Sequence, residues 1–520
     1  MGVRNVTERP GYCATGLQWP TPMLTWHTTP GEDPRMFVNR WIETHAHIRP
    51  NKVALVDRVS GISYTYLDLY RTSRLQAQRL AALGIKPGDR VAVYSQNRPE
   101  ILELLLACGW LGACLVPLNW RLAPQELEKI VEDCAPRITF LDPNLPCDLP
   151  GQSLFSLQSL DAPSVSFPDV GPEAPLAIFY TGGTTGVPKG AVLTHASMQW
   201  NAWNTICGWG LSPDDVAPIF TPMFHTGGLN VMATPLLCLG GTLVLPGNFE
   251  AHKALEVIEQ EHCTLVFLVP TMYEMLRQDP GFSRSRVAHV RKWISGGAPC
   301  PKTLFEAYWN EGIPLIQGYG LTEAGPNTFG VSFEEAQRRP GTVGVPLPGI
   351  QLRLVNDQGQ EPTVGQAGEL QVRGGHVMAG YWNRPKETSS VLQDGWLSTG
   401  DLAYKDQDGY YFICGRRKEM FISGGENVFP AEIEEVLLTH PNVAEVAVVG
   451  VPHPKWGEVG RAYLVLKNQP QFDEQQLVDH CQQVLAKYKI PKEYVVMDSL
   501  PKSAAGKVLK RMLMEDSVRA

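Results

Sequence analysis

The chain has 520 residues, of which 43% are hydrophobic and 19% charged, with a formal net charge of −8. That length is too great for a single hydrophobic core and predicts roughly three domains or subdomains, while a composition without low-complexity tracts excludes a disordered chain. The negative balance argues against a nucleic-acid binder or a membrane-surface protein, so anionic ligands must meet local basic groups, such as the C-terminal set Lys487, Lys489, Lys492, Lys502, Lys507, Lys510 and Arg511. Eleven cysteines without a C-x-x-C pair read as buried free thiols in a reducing compartment. MGVRNVTERPGY has no apolar core for a signal peptide, so a cytoplasmic location is expected.

In chain order, residues 1 to about 34 are rich in Pro, Thr and Gly and lie across the surface on this reading. YTYLDLYRTSRLQAQRLAALG has helical spacing and stops at Gly84; GDRVAVYS reads as a strand; Asn97 and Pro99 supply cap and first-turn signals for the next helix. The most apolar stretch, ILELLLACGWLGACLVPL, contains Glu103, glycines and Pro117, and reads as a buried helix followed by a core strand, with no integral membrane segment. GGTLVLP, CTLVFLVP and IPLIQGYG continue as buried strands, and AHKALEVIEQEH and TLFEAYWNEG as helices, an alternation that indicates helix-covered parallel sheets. After residue 340 short antiparallel strands appear in IQLRLVN, GELQVRG and GYYFICG. Beyond GRRKE at 415–419, PAEIEEVLLTH, VAEVAVVGV, RAYLVLK and EQQLVDHCQQVLAKY form a compact α+β unit, which places domains at 1–416 and 417–520.

Within this alternation lies YTGGTTGVPKGAVLTH, residues 180–195. Its glycines, threonines and single lysine invite comparison with the Walker A loop, G-x-x-x-x-G-K-[ST]. Pro188 stands where the glycine before the lysine belongs, and Gly190 where the hydroxyl residue belongs. A Walker loop also opens a helix and uses its dipole, whereas AVLTH reads as a strand. The loop therefore joins two strands and must hold an anion with backbone N–H groups, threonine hydroxyls and Lys189. A P-loop kinase or GTPase is disfavoured on these grounds, and a serine hydrolase because WISGG at 293–297 lacks the first glycine of G-x-S-x-G.

Further motifs accompany the loop: SGGAP at 295–299, GYGLTEAGP at 318–326, STGDLAY at 398–404, GRRKEMFISGGENVFPAEIE at 415–434 and PKSAAGKVLKR at 501–511. In this order they resemble the core motifs of the adenylate-forming superfamily of acyl- and aryl-CoA synthetases, peptide-synthetase adenylation domains and luciferases. The resemblance implies an α/β fold, with a large N-terminal domain of helix-covered β-sheets, a small β-barrel-like subdomain and a small mobile α+β C-terminal domain. It also implies a two-step reaction with ATP, Mg²⁺ and coenzyme A, in which a small-molecule carboxylic acid becomes an acyl adenylate and then a thioester.

Each residue carried over by the resemblance has a matching chemical need. Thr181, Gly183, Thr184, Thr185 and Lys189 suit the β- and γ-phosphates, where positioning and charge dominate catalysis. Gly182 replaces a serine often found in that loop. Glu323 resembles the Mg²⁺ ligand, a hard oxygen donor, with Thr322 beside it on phosphate. Tyr319 and Gly320 resemble the adenine-stacking segment, and Gly296, Gly297 and Ala298 offer backbone to the base edge. The same resemblance implies that Asp401 and Arg416 are ribose contacts, that Lys418 falls on the hinge, that Gly424 and Gly425 allow approach of the pantetheine arm, and that Lys507 reaches the carboxylate and α-phosphate.

The stretch PMFHTGGLNVMATPL, 222–236, matches the acyl-pocket segment, with His225 as its marker residue and glycines 227 and 228 leaving room for bulk. Its apolar, uncharged texture favours a fatty acid, with an aryl acid next and a free-standing amino-acid adenylating enzyme as a further alternative, since an ammonium group would need an acidic partner. A homodimer is an admissible assembly.

Overall fold

The computed structural model describes residues 38–181, 188–467, 472–502 and 508–519, without the side chains of 515–519. Thr184, Thr185, Gly183 and Lys507, together with Gly182, lie outside the described residues. The N-terminal part is built on sheets. One sheet runs in the order Gly380–Tyr381, Lys189–Thr194, Pro175–Thr181, Cys114–Leu118, Arg90–Tyr94, Ile138–Leu141 and Gln152–Ser153. Its centre is parallel and its far edge, including both flanks of the glycine-rich loop, is antiparallel. A second sheet orders Ile62–Thr65, Val53–Asp57, Thr242–Leu245 and Val216–Pro218, and a third, all parallel, Leu265–Leu268, Lys292–Ser295 and Leu315–Gln317. These two abut where the Thr264 N–H donates to the Val216 carbonyl at 2.9 Å.

The apolar stretch at 101–118 becomes the helix Pro99–Leu111 and the strand Cys114–Leu118, buried almost throughout. The helix is apolar all round, as a core helix must be, and Gly112 ends it at φ 67°, in the left-handed region that glycine tolerates. Asn97 does not cap it. Arg98 holds that position, and the Asn97 amide instead donates to the carbonyls of Ile219 (3.1 Å) and Thr221 (2.8 Å) while accepting from the Met223 N–H (2.8 Å). It thereby fastens the chain entering the segment 222–236.

An antiparallel sheet follows in the order Phe329–Gly330, Thr342–Pro346, Tyr411–Arg416, Trp396–Lys405, Gly368–Arg373 and Gln351–Val355. Beyond the 3₁₀ turn Arg417–Glu419 the chain forms a smaller sheet, Glu426–Val428, Phe421–Ser423, Gly457–Leu466 and Val443–His453, with Glu493–Val496 added in parallel to Gly457–Leu466. Helices Pro430–Leu438 and Glu474–Gln482 cover it, the second ending earlier than EQQLVDHCQQVLAKY predicts. Its core is separate and includes Phe421, Val428, Ile433, Leu437, Val448 and Leu464. All described cysteines are free thiols, with Cys108, Cys114, Cys134, Cys263 and Cys481 buried. No helix among the described residues is long and apolar enough to cross a membrane.

Candidate active site

The flanks of the glycine-rich loop are the strands Pro175–Thr181 and Lys189–Thr194, paired antiparallel with Thr181 opposite Lys189. The Thr181 hydroxyl donates to the Lys189 carbonyl at 3.3 Å. Lys189 points its ammonium group over the ring of Tyr381, 5.2 Å from the centroid. Tyr381 arrives on the edge strand Gly380–Tyr381, which adds to Lys189–Thr194 from the other side. Its hydroxyl donates to Glu323 Oε1 at 2.9 Å. Glu323 sits in the 3₁₀ turn Thr322–Ala324, and the Thr322 hydroxyl is 3.3 Å from that of Thr226. One lobe thus gathers Thr181, Lys189, Thr322 and Glu323 from distant segments. Tyr381 was absent from the sequence reading; the signal that could have found it is an aromatic in the short GYW run, a strand-forming pattern after a loop rich in glycine.

A second lobe lies on adjacent strands. Asp401 stands opposite Arg416 in register. Asp401 Oδ1 pairs with Arg416 Nε at 2.7 Å, and Oδ2 accepts the Tyr319 hydroxyl. Thr399 supports both, donating nothing to them but accepting the Asp401 N–H at its hydroxyl (3.0 Å) and an Arg416 guanidinium N–H at its carbonyl (3.1 Å). Burial, followed by the Asp401 charge, pushes the Tyr319 hydroxyl far above its ordinary range, so it remains a donor. Burial works against the Arg416 charge, but the neighbouring carboxylates outweigh it and raise its pKa. The Tyr319 ring packs edge-on against Phe329, with centroids 5.6 Å apart.

Tyr319 and Gly320 follow the strand Leu315–Gln317, and Gly296, Gly297 and Ala298 follow Lys292–Ser295, both at the carboxyl ends of parallel strands. Ligands of open α/β sheets bind at such ends. A Cβ on Gly320 would fall 1.9 Å from the Pro326 carbonyl oxygen, and one on Gly296 2.8 Å from the Phe267 ring, so both positions require glycine for packing alone.

His225 precedes the helical run Thr226–Gly228, Leu229–Ala233 and Thr234–Leu239, whose middle part is a π-helical turn, a distortion common at functional sites. Burial, and secondarily the Arg121 charge, lowers the His225 pKa to about 4, so the ring is neutral near pH 7. Its Nε2 is buried without a hydrogen-bond partner among the described residues. Phe224 lies beside it at 4.7 Å, and Trp120 meets Phe224 edge-on at 6.3 Å. The two neighbouring glycines differ. A Cβ on Gly227 would touch only Phe267, at 3.9 Å, whereas one on Gly228 would fall 2.2 Å from the Pro222 carbonyl oxygen. Gly228 therefore serves packing, and only Gly227 leaves room.

Gly424 and Gly425 are not brought to these lobes by any described contact. With φ of 62° and 90° they form the two-residue turn between Phe421–Ser423 and Glu426–Val428, a geometry that demands glycine in itself. A Cβ on Gly424 would meet the Trp456 ring at 3.2 Å.

Residues 42–382 match the AMP-binding enzyme family and residues 432–507 the AMP-binding enzyme C-terminal domain. The chain belongs to this family of adenylate-forming enzymes. Among curated relatives, the chain is 39% identical over 496 residues to indoleacetate–CoA ligase from Aromatoleum aromaticum, covering 91% of this chain and 97% of that one. It is 39% identical over 477 residues to feruloyl-CoA synthase from an Amycolatopsis species, covering 90% and 97%. Among solved structures it resembles o-succinylbenzoate coenzyme A synthetase from Bacillus subtilis in complex with ATP and magnesium ion, with a TM-score of 0.85, 32% identity and coverage of 91% and 98%.

Proposed function

We propose that this AMP-binding enzyme is an ATP-dependent acid–thiol ligase that joins an aryl or arylalkanoic acid to coenzyme A, releasing AMP and pyrophosphate. The observation supporting it most is the pair of lobes, a cation without an ion pair among the described residues and a carboxylate around Tyr381, and a buried charge pair beside Tyr319. In the first step the substrate carboxylate attacks the α-phosphorus, the bond to the bridging oxygen breaks, and pyrophosphate leaves. Lys189 and the hydroxyls of Thr181 and Thr322 receive its charge, while Asp401 and Arg416 fix the ribose and Tyr319 the base. In the second step the thiol sulfur attacks the acyl carbonyl and AMP leaves as the C–O bond breaks.

The donor set fits Mg²⁺. Among the described residues no group of three or more His, Cys, Asp or Glu side chains could hold a metal by itself, and Mg²⁺ in nucleotide sites is typically held by one or two carboxylates plus phosphates and water. Glu323 would supply the carboxylate, with Oε2 accepting no bond among the described residues. The ion would neutralise charge developing on the departing phosphates.

The roles given to Lys507, Gly424 and Gly425, and a junction between Arg416 and Arg417 with Lys418 at its hinge, belong to the same proposal. The turn Arg417–Glu419 separates the two sheets there, and Lys510 of the last helix pairs with Glu419 (3.4 Å) and Glu434 (2.7 Å). For the acid, the aromatic surroundings of His225, its neutral ring and the open space at Gly227 favour a flat ring over a charged group. The names of the two curated relatives point the same way. A fatty acid becomes the second reading, supported by the buried apolar Met223, Leu229, Val231 and Met232.

The test is AMP release from ATP with a panel of aryl, arylalkanoic, fatty and amino acids, with and without coenzyme A. Aryl acids should give the highest thiol-dependent kcat/KM. Failure of every acid to exchange pyrophosphate into ATP would overturn the ligase reading, and a preference for long-chain acids would overturn the aryl assignment alone.

A further inference from the structure

We infer that Tyr381 is a positioning residue for adenylation, orienting Glu323 toward the metal with its hydroxyl and steadying Lys189 with its ring face. The inference rests on the phosphate and metal roles proposed above for Lys189 and Glu323. Two independent contacts carry it: the 2.9 Å hydrogen bond from the Tyr381 hydroxyl to Glu323 Oε1 and the 5.2 Å approach of Lys189 Nζ to the Tyr381 ring. Among the described residues Lys189 makes no ion pair. An aromatic face attracts an ammonium group without cancelling its charge, so the lysine is held yet keeps its full charge for phosphate. A carboxylate in that place would have consumed it. The hydroxyl acts on Glu323 in the way outer-sphere donors act on metal ligands, fixing one oxygen and so the direction of the other.

The segment carrying Tyr381 is anchored on both sides. The Trp382 N–H donates to the Gly190 carbonyl at 2.7 Å, one residue after Lys189. Asp133, on the helix Pro124–Cys134, pairs through Oδ1 with Arg384 (2.7 Å), accepts the Tyr180 hydroxyl at Oδ2 (2.7 Å), and takes the Trp382 indole N–H at its carbonyl (3.2 Å). The strand bearing Lys189 is therefore held between Tyr180 and Trp382, both tied to one aspartate. Such bracing limits the freedom of Tyr381 to turn away from its partners.

The two contacts separate experimentally. Tyr381→Phe removes the hydroxyl and keeps the ring; Tyr381→Leu removes both. ATP binding is measured calorimetrically in EDTA and again across a Mg²⁺ titration, with thermal unfolding as the control for folding. Tyr381→Phe should leave ATP affinity in EDTA within about twofold and raise the Mg²⁺ concentration needed for half-maximal enhancement by roughly tenfold. Tyr381→Leu should also weaken metal-free ATP binding by roughly two- to fivefold. In a Glu323→Gln background the Phe substitution should have no further effect on the Mg²⁺ titration. An unchanged Mg²⁺ requirement in Tyr381→Phe, or equal losses with and without metal, would overturn the inference. Should Tyr381→Leu fail to fold, the Phe variant decides by itself. Because binding needs no turnover, wild-type protein that binds Mg²⁺ and ATP but activates no acid would refute the ligase reading and leave this inference standing.

Discussion

The two lobes proposed to hold the nucleotide treat charge in opposite ways. Around Asp401 the protein pairs its charges internally: the carboxylate is 7% exposed, bound to Arg416 on one oxygen and to Tyr319 on the other. Around Lys189, among the described residues, it does not; the ammonium group rests on a π face, and Glu323 is met by a neutral hydroxyl. The difference fits the part of the ligand proposed for each lobe. Ribose hydroxyls are neutral and need a rigid acceptor, whereas triphosphate and Mg²⁺ carry their own charge and need partners left uncancelled. A lobe that stabilises the fold and a lobe that reserves its charge for substrate should therefore respond differently to the same kind of substitution.

The largest effect is expected at Lys507, which lies outside the described residues. Lys507→Ala should reduce adenylate formation by on the order of 10² or more, as for loss of an electrostatic stabiliser, while thioester formation from supplied acyl adenylate persists. Equal damage to both half-reactions would overturn the division of labour proposed for the two domains. Within the lobes, Asp401→Ala should cost roughly 3 kcal/mol of stability, because it leaves a partly buried guanidinium without its carboxylate. Lys189→Met should change stability by no more than about 0.5 kcal/mol yet weaken ATP binding roughly 10- to 100-fold, the value of a charge-assisted contact. Urea unfolding beside ATP titration separates the two; a destabilised Lys189→Met or a fully stable Asp401→Ala would break the comparison.

The smallest effect concerns pH. Burial lowers the pKa of His195 to about 3 and those of His225 and His376 to about 4, from 6.5. Below 6.5 the unfolded chain takes up protons that these buried rings refuse, so stability should fall as pH drops from 6.5 toward 4 and hold above that window. His376→Asn, outside both lobes, should flatten the slope of the unfolding midpoint across this range without altering ATP affinity at pH 7.5. An unaltered slope would show that other groups govern the acid limb.

Much of this organisation was legible beforehand because its signals are local. The strand after Gly190 follows from AVLTH, and the buried helix and strand at 101–118 from an apolar run broken by glycine and proline. Asn97 was misread for a tertiary reason. Its side chain satisfies carbonyls of Ile219 and Thr221, more than a hundred residues away, in place of capping the adjacent helix. The paired glycines 227 and 228 look alike in sequence, yet only Gly228 lies against the Pro222 backbone. The choice between a fatty and an aryl acid was equally beyond local patterning, since the aromatic surroundings of His225 include Trp120, far upstream, edge-on to Phe224.

By itself the sequence determined the candidate reagents: a lysine after a glycine-rich turn, a glutamate after a threonine, an aspartate within a strand, each set by neighbours within a few residues. Only the tertiary structure decided which charges cancel and which stay available. That choice depends on pairs such as Tyr381 with Glu323, 58 residues apart, and on burial that exists only once the sheets have packed, where a partner at hydrogen-bond distance outweighs any preference written into the local chain.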